Sequence, residues 1–161
     1  MDSKKKPVKK ITSEKVALEK AQFYCAYQER YQQEVRDKLY EWGLWPEAVE
    51  NTISNLITDN FLNEERFAKA FAGGKFRIKK WGRVKIKIEL KKRKISDYCI
   101  KKGMQEINSQ DYMKTLKQVL DKKLSSIKAG TIRLKNQKVA YYAISRGFES
   151  DLVWDTILNK E

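Results

Sequence analysis

Histidine is absent from the 161 residues. That gap removes the usual zinc ligand, the Ser-His-Asp and Cys-His nucleophile pairs, and the commonest general acid or base. Cysteine is scarce: Cys25 and Cys99 stand apart at apolar-flanked positions and read as small buried thiols. No apolar run approaches the roughly 18 residues that cross a bilayer, and no apolar core follows the first lysines as a signal peptide requires. The expectation is a soluble, cytoplasmic chain without membrane contact. Only seven glycines occur, and Gly73-Gly74 lacks the following Lys-Ser/Thr of a phosphate-cradling loop. No pair of carboxylates stands out from a solvated helix face. These absences give no support for an enzyme and none for a metal or cofactor.

Positive charge is abundant, with a formal net charge of +14, and it is unevenly placed. Residues 1–12 carry +4, 13–59 carry −4, 63–107 carry +10 and 108–161 carry +4. A field concentrated in the middle third selects polyanions, with a non-specific and salt-sensitive contribution to phosphate binding. The acidic first part beside it suits a protein partner.

The most basic stretch, Gly82 to Ile95, is locally ambiguous. Val84, Ile86, Ile88 and Leu90 alternate with polar residues as in a half-buried strand. On a helix, Ile86 and Leu90 share one face instead, with Val84 and Ile88 towards its flanks. An internal repeat decides for the helix. With Gly43, Lys94 and Gly147 as origins, the next positions are Leu44, Ile95 and Phe148. Six beyond stand Val49, Ile100 and Val153; ten beyond, Ile53, Met104 and Ile157. Four before are Leu39, Leu90 and Ala143; eight before, Val35, Ile86 and Val139; and at −27, Val16, Phe67 and Leu120. Spacings of four on each side of a turn describe two helices, and the distant third position adds another.

The predicted architecture is therefore all-α: three tandem three-helix, helix-turn-helix-like repeats in an elongated, curved chain. The divisions are a flexible basic tail at 1–12, repeat one at 13–59, a basic repeat two at 60–107 and repeat three at 108–161. Ser13 caps the first helix, whose inner face is expected to hold Val16, Ala17, Phe23, Tyr24 and Tyr27. The second helix ends at Gly43, a left-handed terminator. Pro46 opens the third, which carries Val49, Ile53, Leu56 and Ile57 inward. Asn63 caps the next helix, with a bend or frayed end expected at Gly73-Gly74. Trp42, Trp45 and Trp154 are assigned to the core, while Trp81 suits hinge packing or base stacking.

The candidate polyanion-binding residues are Arg77, Lys79, Lys80 and Arg83, followed by Lys87, Lys91, Lys92, Arg93 and Lys94. With Ile86 and Leu90 inward, Lys87, Lys91 and Lys94 share an exposed flank. Lysine-rich surfaces contact phosphates rather than read base edges.

The motif Gly82-x-x-x-Ile86-x-x-Glu89-Leu90-x-x-x-x-Ile95, preceded by Phe61-Leu62-Asn63-Glu64-Glu65-Arg66-Phe67-Ala68-x-x-Phe71, resembles the central signature of the RecX family of bacterial recombinase regulators. Glu34-Val35-Arg36-x-Lys38-Leu39-x-x-x-Gly43 and Arg146-Gly147-Phe148 are similar to the family's first-repeat and last-repeat motifs. The resemblance covers about residues 13 to 159. It implies a non-enzymatic protein that binds the RecA recombinase; a monomer without cofactors is the simpler expectation for repeats that bury one another's faces. Such a protein lodges on its filament on single-stranded DNA and suppresses ATP hydrolysis, strand exchange and filament extension. The alternative is a direct, largely sequence-independent DNA-binding protein. Two departures stand out: Lys94 replaces a usual glycine, and Tyr31 replaces a frequent serine cap.

Overall fold

The computed structural model describes residues 10–159. Among them are nine helices and no strand, so the chain is all-α and the alternation at 84–90 is helical. The helices are α1 (Glu14–Tyr27), α2 (Gln32–Glu41), α3 (Pro46–Thr58), α4 (Glu64–Lys79), α5 (Arg83–Lys92), α6 (Asp97–Met104), α7 (Ser109–Ser126), α8 (Ile132–Ser145) and α9 (Ser150–Leu158). The basic tail lies mostly outside the described residues. Where it is described, Ile11 donates its N–H to the Trp42 carbonyl at 2.9 Å and packs on the first core. The Lys10 side chain lies against Gly43, so the end of the expected tail is packed on the first repeat.

One turn recurs three times. Gly43, Lys94 and Gly147 have φ of 88°, 59° and 99°. The N–H groups of Leu44, Ile95 and Phe148 reach back to the carbonyls of Leu39, Leu90 and Ala143 at 3.1, 3.3 and 3.2 Å. Gly43, Lys94 and Gly147 in turn donate to Tyr40, Lys91 and Ile144. This 6→1 and 5→2 pairing is the Schellman motif, which satisfies the last carbonyls of α2, α5 and α8. The apolar residue after each left-handed position is buried, so each turn aims its following helix back over the one it closes. Asn60, with φ 61°, ends α3 in the same way.

The chain divides into two compact units, Met1–Phe67 and Ala68–Glu161, the boundary falling inside α4. In the first, α1 and α2 pack on α3 around Val35, Leu39, Leu44, Val49, Ile53 and Leu56. The buried side of α1 is Ala17, as expected, with Ala21 and Cys25, and Tyr24 packs half-buried against the core. Val16, Phe23 and Tyr27 are exposed, as is Ile57 on α3. Alanines at successive turns let α1 approach α3 closely, and a bulky side chain on that stripe would force the two apart. Trp42 is buried as expected, whereas Trp45 is exposed because it occupies the uncapped position before α3. Trp154 is half-buried. Tyr31, before α2, likewise makes no side-chain cap.

In the second unit, α7, α8 and α9 pack together and α5 packs on α6. Phe76, Tyr112 and Phe148 form a chain of rings with centroids 5.8 and 5.2 Å apart. Helix α4 runs through Gly73-Gly74 without interruption. The Arg77 guanidinium lies 2.8 Å from where a Cβ of Gly73 would stand, so this glycine is covered rather than hydrated. The expected bend does not form. Burial pushes the Cys25 thiol up to about 11; Cys99 is half-buried.

Candidate nucleic-acid and partner interface

Helix α5 is fixed by its first turn. Gly82 donates its N–H to the Arg146 carbonyl and Val84 donates to the Gly147 carbonyl, both at 2.9 Å. A Cβ on Gly82 would overlap the Gly147 carbonyl and the Phe148 nitrogen, so only glycine lets the two backbones meet. Seated this way, α5 buries Ile86 and Leu90 completely. Val84 and Ile88 turn outward, 43% and 49% exposed. The strand-like alternation is thus a buried pair interleaved with an exposed pair.

The nine predicted basic residues do not form one face. Lys87, Lys91 and Lys94 are exposed and, among the described residues, enter no ion pair. They are solvated cations of α5 and its closing turn, beside the exposed Val84 and Ile88. Lys92 and Arg93 are instead held by Glu89, at 3.3 and 2.9 Å. The Arg93 hydrogen bond, helped by Lys92, holds the Glu89 carboxyl below its usual range. The Arg93 guanidinium also stands 4.7 Å from the Phe71 ring.

Arg83 is committed to the fold. Its guanidinium lies 3.8 Å from the Tyr112 ring centroid and 3.3 Å from Glu149. Its backbone N–H donates to the Tyr112 hydroxyl at 3.1 Å, and that hydroxyl donates to Glu149 at 2.5 Å. Burial, reinforced by Glu149, pushes the Tyr112 phenol well above its usual range. Arg77 and Lys80 line a separate depression of about 260 Å³ with Lys114 and Asp111. The Lys79 carbonyl accepts a hydrogen bond from the Arg146 guanidinium.

Trp81, between α4 and α5, is half-buried and edge-on to Phe71 at 6.4 Å. Lys75 and Lys85 ammonium groups stand 4.9 and 4.4 Å from its ring. These two lysines and Arg146 were missed by the sequence reading. An aromatic with lysines six residues before and four after it was the available signal for the first two. What α5 offers chemically is a short row of solvated point charges flanking an apolar ridge. Such charges contribute salt-dependent phosphate contacts, and the ridge adds area that a protein partner can cover. Among the described residues, no cluster of His, Cys, Asp or Glu could hold a metal ion, and no helix is long and apolar enough to cross a membrane.

An all-α chain of helix pairs closed by left-handed turns belongs to the class of helical-repeat proteins. Comparison with known proteins sharpens the class. Residues 63–104 match the family description "RecX, second three-helix domain" and residues 110–157 match "RecX, third three-helix domain". Regulatory protein RecX of Thermotoga maritima is 30% identical over 139 residues, 83% of this chain and 77% of the relative. That of Prosthecochloris aestuarii is 29% identical over 141 residues, 88% and 91% of the two chains. That of Lactobacillus johnsonii is 31% identical over 106 residues but longer, the match spanning only 39% of it. The crystal structure of RecX from Lactobacillus salivarius superposes with a TM-score of 0.81 at 22% identity, covering 90% of this chain and 94% of the other; this likeness shows the fold. The chain belongs to the RecX family, whose curated relatives are named regulatory proteins.

Proposed function

We propose that this chain is a non-enzymatic regulator that binds the RecA recombinase filament on single-stranded DNA. In this reading it suppresses the filament's ATP hydrolysis, strand exchange and extension, and works as a cytoplasmic monomer built from repeats at 13–59, 60–107 and 108–161. Family membership supports the recombinase as partner. The observation that carries the reading to particular residues is the exposed row Lys87, Lys91 and Lys94, free of ion pairs among the described residues and set beside exposed Val84 and Ile88. Lysines supply phosphate contact without base readout, which suits a strand of any sequence held inside a protein filament. The apolar ridge suits the protein component.

The test is the single-strand-dependent ATPase rate of the host recombinase, titrated with this protein and repeated with DNA in large excess. Inhibition that persists in excess DNA is expected. Rescue by excess DNA would mean that free strands are being sequestered, as the direct DNA-binding alternative requires. Replacing Lys87, Lys91 and Lys94 together by Gln is expected to weaken filament binding roughly tenfold at moderate salt and to flatten its salt dependence. Unchanged affinity would remove this row from the mechanism.

A further inference from the structure

The third repeat carries a second basic surface that the α5 row does not explain. Between the end of α7, the following loop and α8 lies an open groove of about 1010 Å³, with Lys128, Leu134, Lys138 and Tyr141 on its walls. A smaller depression of about 330 Å³ adds Lys80, Lys122 and Arg146. The two share Lys123, Ser126 and Tyr142, so they are continuous. Six cations line them, and no carboxylate does. Among the described residues, Lys80, Lys122, Lys123, Lys128 and Lys138 enter no ion pair.

The aromatic residues are the second observation. Tyr141 is 77% exposed and Leu134 52%, although α8 buries Val139, Ala140 and Ala143 and gains nothing for the core from a ring at 141. The neighbouring Tyr142 ring has the Lys123 ammonium 4.8 Å from its centroid and the Arg146 guanidinium at 6.0 Å. Cations gathered without counter-charge repel one another, and a polyanion relieves that repulsion. An acidic peptide would satisfy the charge but not the exposed ring. Phosphates joined to flat apolar bases satisfy both, since base–aromatic stacking is sequence-tolerant and a basic groove tracks the backbone.

We infer that this groove of α7 and α8 is a binding site for single-stranded nucleic acid, with Tyr141 as the stacking platform and Lys122 and Lys123 as phosphate contacts. It deepens the function proposed above and rests on that reading only for the source of the strand. The experiment uses the full chain and fluorescein-labelled oligothymidylate, followed by anisotropy across a salt series. An abasic deoxyribose-phosphate oligomer of equal length and polyglutamate serve as comparison probes. Tyr141→Ala is expected to lower affinity for oligothymidylate roughly tenfold and to leave the abasic oligomer unaffected. Lys122→Gln with Lys123→Gln is expected to weaken both and to reduce the salt slope by about 1.4. Tyr141 is exposed, so circular dichroism should match the parent for that variant. Wild-type affinity in Tyr141→Ala overturns the inference, as does failure of the parent to bind oligothymidylate at low salt. Displacement of the oligonucleotide by polyglutamate at equal charge concentration overturns it in favour of an acidic protein partner. No recombinase is present, so a groove that binds as described beside an unresponsive recombinase ATPase rejects the regulator reading alone.

Discussion

The turn after α5 and the turn after α8 have the same hydrogen bonds and different residues at the left-handed position, Lys94 in one and Gly147 in the other. Lys94 has φ 59°, inside the narrow left-handed well open to ordinary residues at a cost of roughly 1 kcal/mol. It is exposed, so its side chain leaves into water. Gly147 has φ 99°, beyond that well. A Cβ there would also stand 2.7 Å from the Lys85 nitrogen. The backbone of α5 rests on this turn through Gly82 and Val84. The left-handed conformation alone therefore does not demand glycine; another segment of backbone packed against the turn does. One turn has become a free surface position that carries a charge, and the other is a joint.

Breaking the joint is the sharpest way to test that difference. Gly82→Ala places a methyl group against the Gly147 carbonyl, where neither backbone can yield without losing the 2.9 Å bonds that seat α5. A loss of about 3 kcal/mol or more is expected in urea unfolding followed by circular dichroism. Lys94→Ala, which leaves the left-handed strain as it is, should cost less than about 0.5 kcal/mol. Equal costs would remove the distinction. A middle-sized effect belongs to the hydroxyl beside the joint. Tyr112→Phe removes the group that accepts from the Arg83 N–H and donates to Glu149. It leaves both in a half-buried site and should cost about 2 kcal/mol on the same measurement.

The two turns also mark how far the sequence was legible. The offsets around Gly43, Lys94 and Gly147 recovered the helix pairs because apolar residues recur there at fixed spacing, all of them buried except the half-buried Met104 and Ile157. The same comparison failed at −27. Val16 is exposed while Phe67 and Leu120 are buried, because α1 buries the next residue, Ala17, together with Ala21. The candidate site was legible in composition but not in pairing. Arg83 and Glu149 are 66 residues apart and meet through the Gly82–Gly147 contact and the Tyr112 hydroxyl, so nothing local marks Arg83 as structural. Lys92 and Arg93 could have been set aside from sequence, because Glu89 stands three and four residues before them, the spacing of helical ion pairs.

Removing the strain at the free turn is a smaller perturbation with a revealing sign. Lys94→Gly should stabilise the chain by about 0.5 kcal/mol, since relief of the left-handed cost exceeds the added freedom of the unfolded state. The same variant should bind the filament less well if the Lys87, Lys91 and Lys94 row contacts phosphate. A protein that gains stability and loses affinity cannot be explained by damaged folding. Gain in both would show that the lysine is retained for neither reason.

The smallest effect is acid sensitivity on the same helix. The Glu89 carboxyl is held below its ordinary value by Arg93 and Lys92. Its contribution to stability is present above the ordinary glutamate range and lost as the pH falls through the lowered one. Glu89→Gln should therefore cost about 0.5 kcal/mol at neutral pH, the difference from the parent closing on acidification. Because the neutral amide would also free Lys92 and Arg93, filament binding should be unchanged or tighter. Weaker binding would mean that Glu89 itself faces the partner, and that α5 meets protein rather than phosphate on that side.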